Sequence, residues 1–192
     1  MKTVQPIRDE KKINAIKKIL KSENLRDYAW FTLGINSGLR ISDILNLTFG
    51  DVLKKEKVVN KIIIRERKTD KEKNFSLGPK TIKALEEYIN SITSYELDDP
   101  LFFSKKFKDG KRKAISRQHA HYVINEAAKE VGVNESIGAH SLRKSFGYHA
   151  FKKGYDIVLI QNMLNHDSPS TTLRYIGITQ DEMDEVYVSM DL

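Results

Sequence analysis

Three short stretches of this chain bring together side chains able to handle a phosphate. The first is SGLRISD, in which Arg40 follows a glycine and Asp43 stands three residues on, a spacing that puts both on one helix face. The second is HSLR at 140–143, where His140 and Arg143 lie one helical turn apart and point an imidazole and a guanidinium at one place. Arginine suits a phosphate there because its planar fork donates two hydrogen bonds at once. The third is LNHDSPSTTLRYI at 164–176, in which His166 is followed nine residues later by Tyr175 across a capped turn. Taken singly, these patterns also fit a surface ion pair, a chance tetrapeptide and a tyrosine at the rim of a core. Cysteine is absent, which removes thiol catalysis and Cys-ligated zinc or iron–sulfur sites. There is no P-loop, no dinucleotide-binding glycine turn, no HExxH and no acid-rich metal loop, so no metal and no cofactor is expected. The chemistry left is that of basic groups and a phenol.

The elements that must position these groups are mostly helical. Apolar spacing of three and four predicts a helix over 9–21 (Ile13, Ile16, Ile19, Leu20) and another over 80–92 (Ile82, Leu85, Ile89, Ile92). Residues 25–37 are apolar nearly all round, so that helix is expected to be buried, and Gly38 ends it. A short helix is expected at about 41–47. The β-branched run Val58–Arg65 and the short stretch Asn74–Leu77 read as a hairpin with a polar turn at about 66–73. Residues 105–115 read as a mobile basic loop, and Ser116 as the cap of the helix after it. Further helices are expected at about 140–153, 156–164 and 169–175, with Ser168-Pro169 as cap and first turn. Thr179-x-x-Glu182 has the pattern of a capping box before a last, acidic helix.

Length and charge set the frame around these elements. At 192 residues the chain suits one domain, and 40% apolar with 31% charged residues is a globular balance that excludes a disordered chain. No apolar run nears the roughly 18 residues of a membrane span, and a cytoplasmic protein is expected. The net charge of +7 favours a polyanionic partner. It is concentrated: segment 54–73 holds nine basic and four acidic residues, and 105–117 holds seven basic and one acidic. Such runs are either solvated loops or surfaces that neutralise backbone phosphates. From them Lys105, Lys106, Lys111, Arg112, Lys113, Arg117 and His119, together with Lys144 beside HSLR, are candidate contacts to such phosphates.

In chain order, GLR-x-S-D, a hairpin lysine, H-x-L-R and L-x-H-x-S-x-x-T-T-x-x-Y resemble the catalytic domain of the tyrosine recombinases, or phage integrases, from about residue 5 to 190. The resemblance implies a mainly α fold with a small antiparallel β-sheet (α+β), and a single catalytic domain over 1–192. It implies Tyr175 as the nucleophile that forms a 3′-phosphotyrosyl bond with DNA and frees a 5′-hydroxyl. Arg40, Arg143 and His166 match the family's phosphate-binding trio, His140 its general base and Asp43 an acid that orients the site. Lys68 matches the acid for the leaving 5′-oxygen, with Lys71 or Lys73 as alternatives because hairpin alignments slip. Neither metal nor ATP is implied. The implied partner is double-stranded DNA, with a homotetramer on paired sites and no membrane. Two departures stand out: Asn165 replaces the glycine common before the family's histidine, and the family's N-terminal clamp domain is expected to be absent. A topoisomerase-like relaxase, or a DNA-binding accessory protein with this fold and little turnover, are the alternative readings.

Overall fold

Helix α2 (Leu25–Ser37) is the hub of the molecule, because a helix apolar all round must be covered on every side. The computed structural model describes residues 4–66, 71–108, 110–178 and 180–190; Lys68 and Thr179 lie outside them. Asn24 joins α1 (Glu10–Glu23) to α2, ending the first helix and accepting hydrogen bonds from the Arg26 and Asp27 backbone N–H groups of the second. Trp30, Phe31 and Leu33 of α2 are fully buried, and the Trp30 indole N–H donates to Asp27 Oδ1 at 2.9 Å. The helix packs against α1, α5 (Pro79–Asn90), α6 (Arg117–Glu130) and α7 (Ala139–Lys152).

Short elements α3 (Ile41–Leu45) and α4 (Phe49–Val52) follow α2. Strand content is spread over three antiparallel hairpins: β1 (Leu53–Lys54) with β2 (Lys57–Val58), β3 (Lys61–Arg65) with β4 (Glu72–Ser76), and β5 (Phe103–Lys108) with β6 (Lys111–Ala114). In the middle hairpin Ile62 faces the core opposite Phe75, while Ile63 is exposed, the alternation of a one-sided ribbon. The last hairpin corrects the expectation of a mobile loop at 105–115. Phe103 pairs with Ala114 and Phe107 with Arg112, and Gly110 supplies a positive φ of 73° at the turn. High charge hid a ribbon that needs only one packed edge.

The chain ends in α8 (Ile157–Met163), α9 (Pro169–Ile176) and α10 (Gln180–Ser189). With α7, helices α8 and α9 build a second, small apolar cluster of Tyr148, Ile160, Leu164 and Ile176, separate from the large core around α2. Helix α7 borders both. Gly34 lets it lie close to α2, since a Cβ there would stand 2.7 Å from Leu142 Cδ1. Gly147 lets it lie close to α9, since a Cβ there would stand 2.6 Å from Ile176 Cγ2.

Candidate active site

Arg40 is placed by a turn that only glycine fills comfortably. Gly38 ends α2 at a φ of 62°, and a Cβ on it would meet the Phe146 ring at 2.5 Å. The chain then reverses and Arg40 opens α3, its carbonyl accepting the N–H groups of Asp43 and Ile44. Its guanidinium Nη1 lies 2.7 Å from Oε2 of Glu66, a carboxylate that is fully buried just after β3. Asp43, on the same short helix, is buried as well.

His140 and Arg143 start α7. His140 is exposed, while Arg143 is 2% exposed and donates to the Gly38 carbonyl at 2.6 Å and to the Leu164 carbonyl. This one guanidinium therefore ties the end of α2 to the end of α8. Burial and the nearby Arg40 charge pull its pKa down, and the phenol of Tyr175 and the carboxylates of Glu66 and Asp43 oppose that.

His166 follows Asn165, which adopts a φ of 46°, the left-handed turn expected of an asparagine in a glycine position. The imidazole Nδ1 lies 3.1 Å from Thr172 Oγ1, and that hydroxyl donates its proton to the Ser168 carbonyl at 3.0 Å. The hydroxyl must then accept from Nδ1–H, an assignment made from the hydrogen-bond network, which leaves Nε2 of the neutral ring as an acceptor. Burial, then the charges of Arg143 and Arg40, push the imidazole down to about 4. At neutral pH, without DNA, His166 is therefore uncharged.

Tyr175 lies on α9 with its ring edge-on to His166, centroids 4.7 Å apart, and Lys144 Nζ 5.1 Å from the ring centre. Burial raises the phenol pKa; the charges of Arg143 and Arg40, and a hydrogen bond with Arg143, oppose the rise without cancelling it. The Tyr175 phenol is thus neutral at rest. Lys73 of β4 reaches the same region: its amine donates to the Met163 carbonyl at 2.8 Å, and burial first, then Arg143, lowers it to about 8, against the opposing charge of Glu66.

Arg40, His140, Arg143, Asn165, His166, Asp167, Thr171 and Tyr175 line one recess of about 230 Å³. Five sequence-predicted residues from separate stretches thus meet at one place. The candidate DNA contacts divide. Lys105, Lys113 and His119 line a separate recess with Arg26, and Arg117 lines another beside Ser42 and Asn46. Lys111 is exposed. Arg112 lies over the Phe103 ring at 4.3 Å, and its Nε is 3.7 Å from Asp99 Oδ2, so it ties its hairpin to the segment before it. Lys144 is buried against Tyr175. The side chain of Lys106 lies outside the described residues, as does Lys68. Sequence reasoning missed Glu66, because a glutamate inside a charged hairpin carries no sign of burial.

A family model described as the phage integrase family matches residues 8–182. The chain belongs to the phage integrase family. It is of the tyrosine recombinase type, as its relatives' names indicate. It is 42% identical over 187 residues to a probable integrase/recombinase YoeC of Bacillus subtilis (strain 168), with 97% of each chain covered. Against curated tyrosine recombinases named XerC, this phage integrase homologue spans about half their length, 51% in one case and 53% in another. Its fold is similar to the crystal structure of XerA recombinase, with a TM-score of 0.76, 24% identity, and 100% of this chain and 65% of that one covered. It is similar also to XerH site-specific recombinase bound to palindromic difH substrate, with a TM-score of 0.69 at 19% identity, covering 96% and 53%. At these identities the two structures speak for the fold.

Proposed function

We propose that this chain cuts and rejoins double-stranded DNA at specific sites by transesterification through Tyr175. The observation that carries the proposal is the recess in which Arg40, His140, Arg143, His166 and Tyr175 converge. The Tyr175 oxygen attacks the scissile phosphorus, the bond to the 5′-oxygen breaks, and a 3′-phosphotyrosyl link forms. Because the phenol is neutral at rest, its proton must be taken as the P–O bond forms, and His140, open to the recess, is the proposed base. Arg40 and Arg143 face the non-bridging oxygens, where the transition state gathers charge. A bound phosphate offsets the two guanidiniums that depress His166, so the imidazole takes up a proton at Nε2 and becomes a third donor. The leaving 5′-oxygen takes a proton from a hairpin lysine. Lys68 is the residue assigned by resemblance, and Lys73, with an amine near 8, is a hairpin lysine among the described residues that reaches the site. Side-chain charge meets the developing oxyanion and the phosphotyrosyl link retains the phosphodiester's energy, so the reaction as proposed uses neither divalent metal nor ATP. Strand exchange between two sites would then require a homotetramer on paired DNA.

The test is incubation with supercoiled plasmid in EDTA, beside Tyr175→Phe. Nicked, relaxed or protein-linked DNA with the parent alone supports the proposal. Equal signal from both proteins removes Tyr175 as nucleophile. DNA binding without cleavage by the parent, on plasmids bearing its own genomic flanks, would favour an accessory DNA-binding role.

A further inference from the structure

The buried carboxylate of Glu66 is not among the groups assigned to chemistry above, yet it sits at the middle of them. It follows β3 directly, and its backbone N–H donates to the Lys71 carbonyl at 2.9 Å, which closes the hairpin and fixes where the side chain starts. Its Oε2 is shared: Arg40 Nη1 lies 2.7 Å away and Asn165 Nδ2 donates to it at 2.8 Å. A carboxylate with no solvent exposure keeps its charge only when paired, so loss of the partly exposed Arg40 partner would leave Glu66 costly to hold charged. The charge also reaches beyond Arg40, opposing the depression of both Arg143 and Lys73. Arg40 and Arg143 can therefore share one small recess, with Lys73 close by, before any phosphate arrives.

Asn165 has a second property that bears on this. Its φ of 46° is one that glycine adopts most easily, so the turn alone gives no reason for a side chain there. The side chain present reaches across to the hairpin and bonds the same oxygen that holds Arg40. The hairpin, the start of α3 and the turn carrying His166 are thereby joined through one oxygen atom.

We infer that Glu66 is a positioning residue for Arg40, and that Asn165 fixes Glu66, so that the guanidinium is oriented before the scissile phosphate binds. The inference rests on the reading of Arg40 as a phosphate ligand. A guanidinium held this way exchanges no conformational freedom for its phosphate contact, and misplacement by about 1 Å costs up to roughly a hundredfold in rate.

The test reads Arg40 directly in the full-length protein without DNA. In protein labelled with 15N-arginine, the Arg40 side-chain signals are identified by their loss in Arg40→Lys. The parent should show separate, slowly exchanging Nη resonances for Arg40. In Glu66→Gln and in Asn165→Gly these should merge through faster rotation, with the backbone amide spectrum otherwise preserved. Plasmid nicking in EDTA should fall at least about tenfold in Glu66→Gln and about threefold in Asn165→Gly. Unchanged Arg40 signals in both variants overturn the inference. Should Glu66→Gln fail to fold, Asn165→Gly decides, since it leaves the carboxylate in place. Loosened Arg40 signals with a parent that never nicks DNA would uphold the positioning role and overturn the recombinase reading instead.

Discussion

The two halves of the recess are anchored very differently. Arg40 and Arg143 rise from elements packed into the large core, where α2 is buried on every side. His166 and Tyr175 hang from α8 and α9, whose apolar cluster, shared with α7, has only four buried side chains. Around that small cluster Tyr155, Val158 and Leu159 are half exposed. Local opening costs least where few apolar groups are buried, so the nucleophile's segment should open far more readily than the phosphate-binding frame. On the proposed function, the difference separates a firm frame for a phosphate from a looser segment that carries Tyr175.

The sharpest way to break this contrast is Arg143→Ala, because Arg143 belongs to both halves. Truncation removes a phosphate ligand and strands the Gly38 and Leu164 carbonyls, so stability should fall by about 3 kcal/mol and nicking by at least about a thousandfold. Urea midpoints and plasmid nicking measure the two losses. Next comes the pair Leu33→Ala and Ile176→Ala, equal in chemistry. Leu33→Ala should cost about 3 kcal/mol in global unfolding. Ile176→Ala should leave the global midpoint nearly in place and instead speed amide exchange across α8 and α9. Equal midpoint losses would show one cooperative unit and end the comparison.

Smaller effects sharpen it. Gly147→Ala pushes a methyl toward Ile176 and so shifts α9, which should cost about 1 kcal/mol and reduce nicking about tenfold. For acid sensitivity the sign follows from His166, held at about 4 in the fold against 6.5 as a free imidazole. Between those values the unfolded chain binds a proton that the folded chain refuses, so stability falls as pH drops from 6.5 toward 4. His166→Gln should flatten that decline, checked by urea midpoints at pH 4 to 7, and a decline of unchanged slope would place the imidazole in an ordinary environment.

Much of this was legible before any coordinates. The helices at 25–37, 140–153 and 169–175 follow from apolar spacing, Gly38 and Ser168-Pro169, and the structure places each within one or two residues. The meeting of Arg40, His140, Arg143, His166 and Tyr175 was also expected, because motif order carries a topology that composition does not. The basic hairpin at 103–114 was not legible, since lysine-rich strands look like solvated loops. Nor was Glu66: its burial depends on Arg40 and Asn165, 26 and 99 residues away, and no local pattern encodes such a pairing. The second role of Arg143, bonding two backbone carbonyls, was hidden for the same reason.

On the proposed function, that second role would give Arg143 two conditions to combine. The Leu164 carbonyl that Arg143 grips lies two residues before His166, and the Gly38 carbonyl two residues before Arg40. If the tail segment swings out, Arg143 loses one of its two anchors at the moment the nucleophile leaves. Readiness to bind phosphate and readiness to attack it are then reported by a single side chain. If the chain cuts DNA as proposed, a guard against stray breaks would be built into one guanidinium.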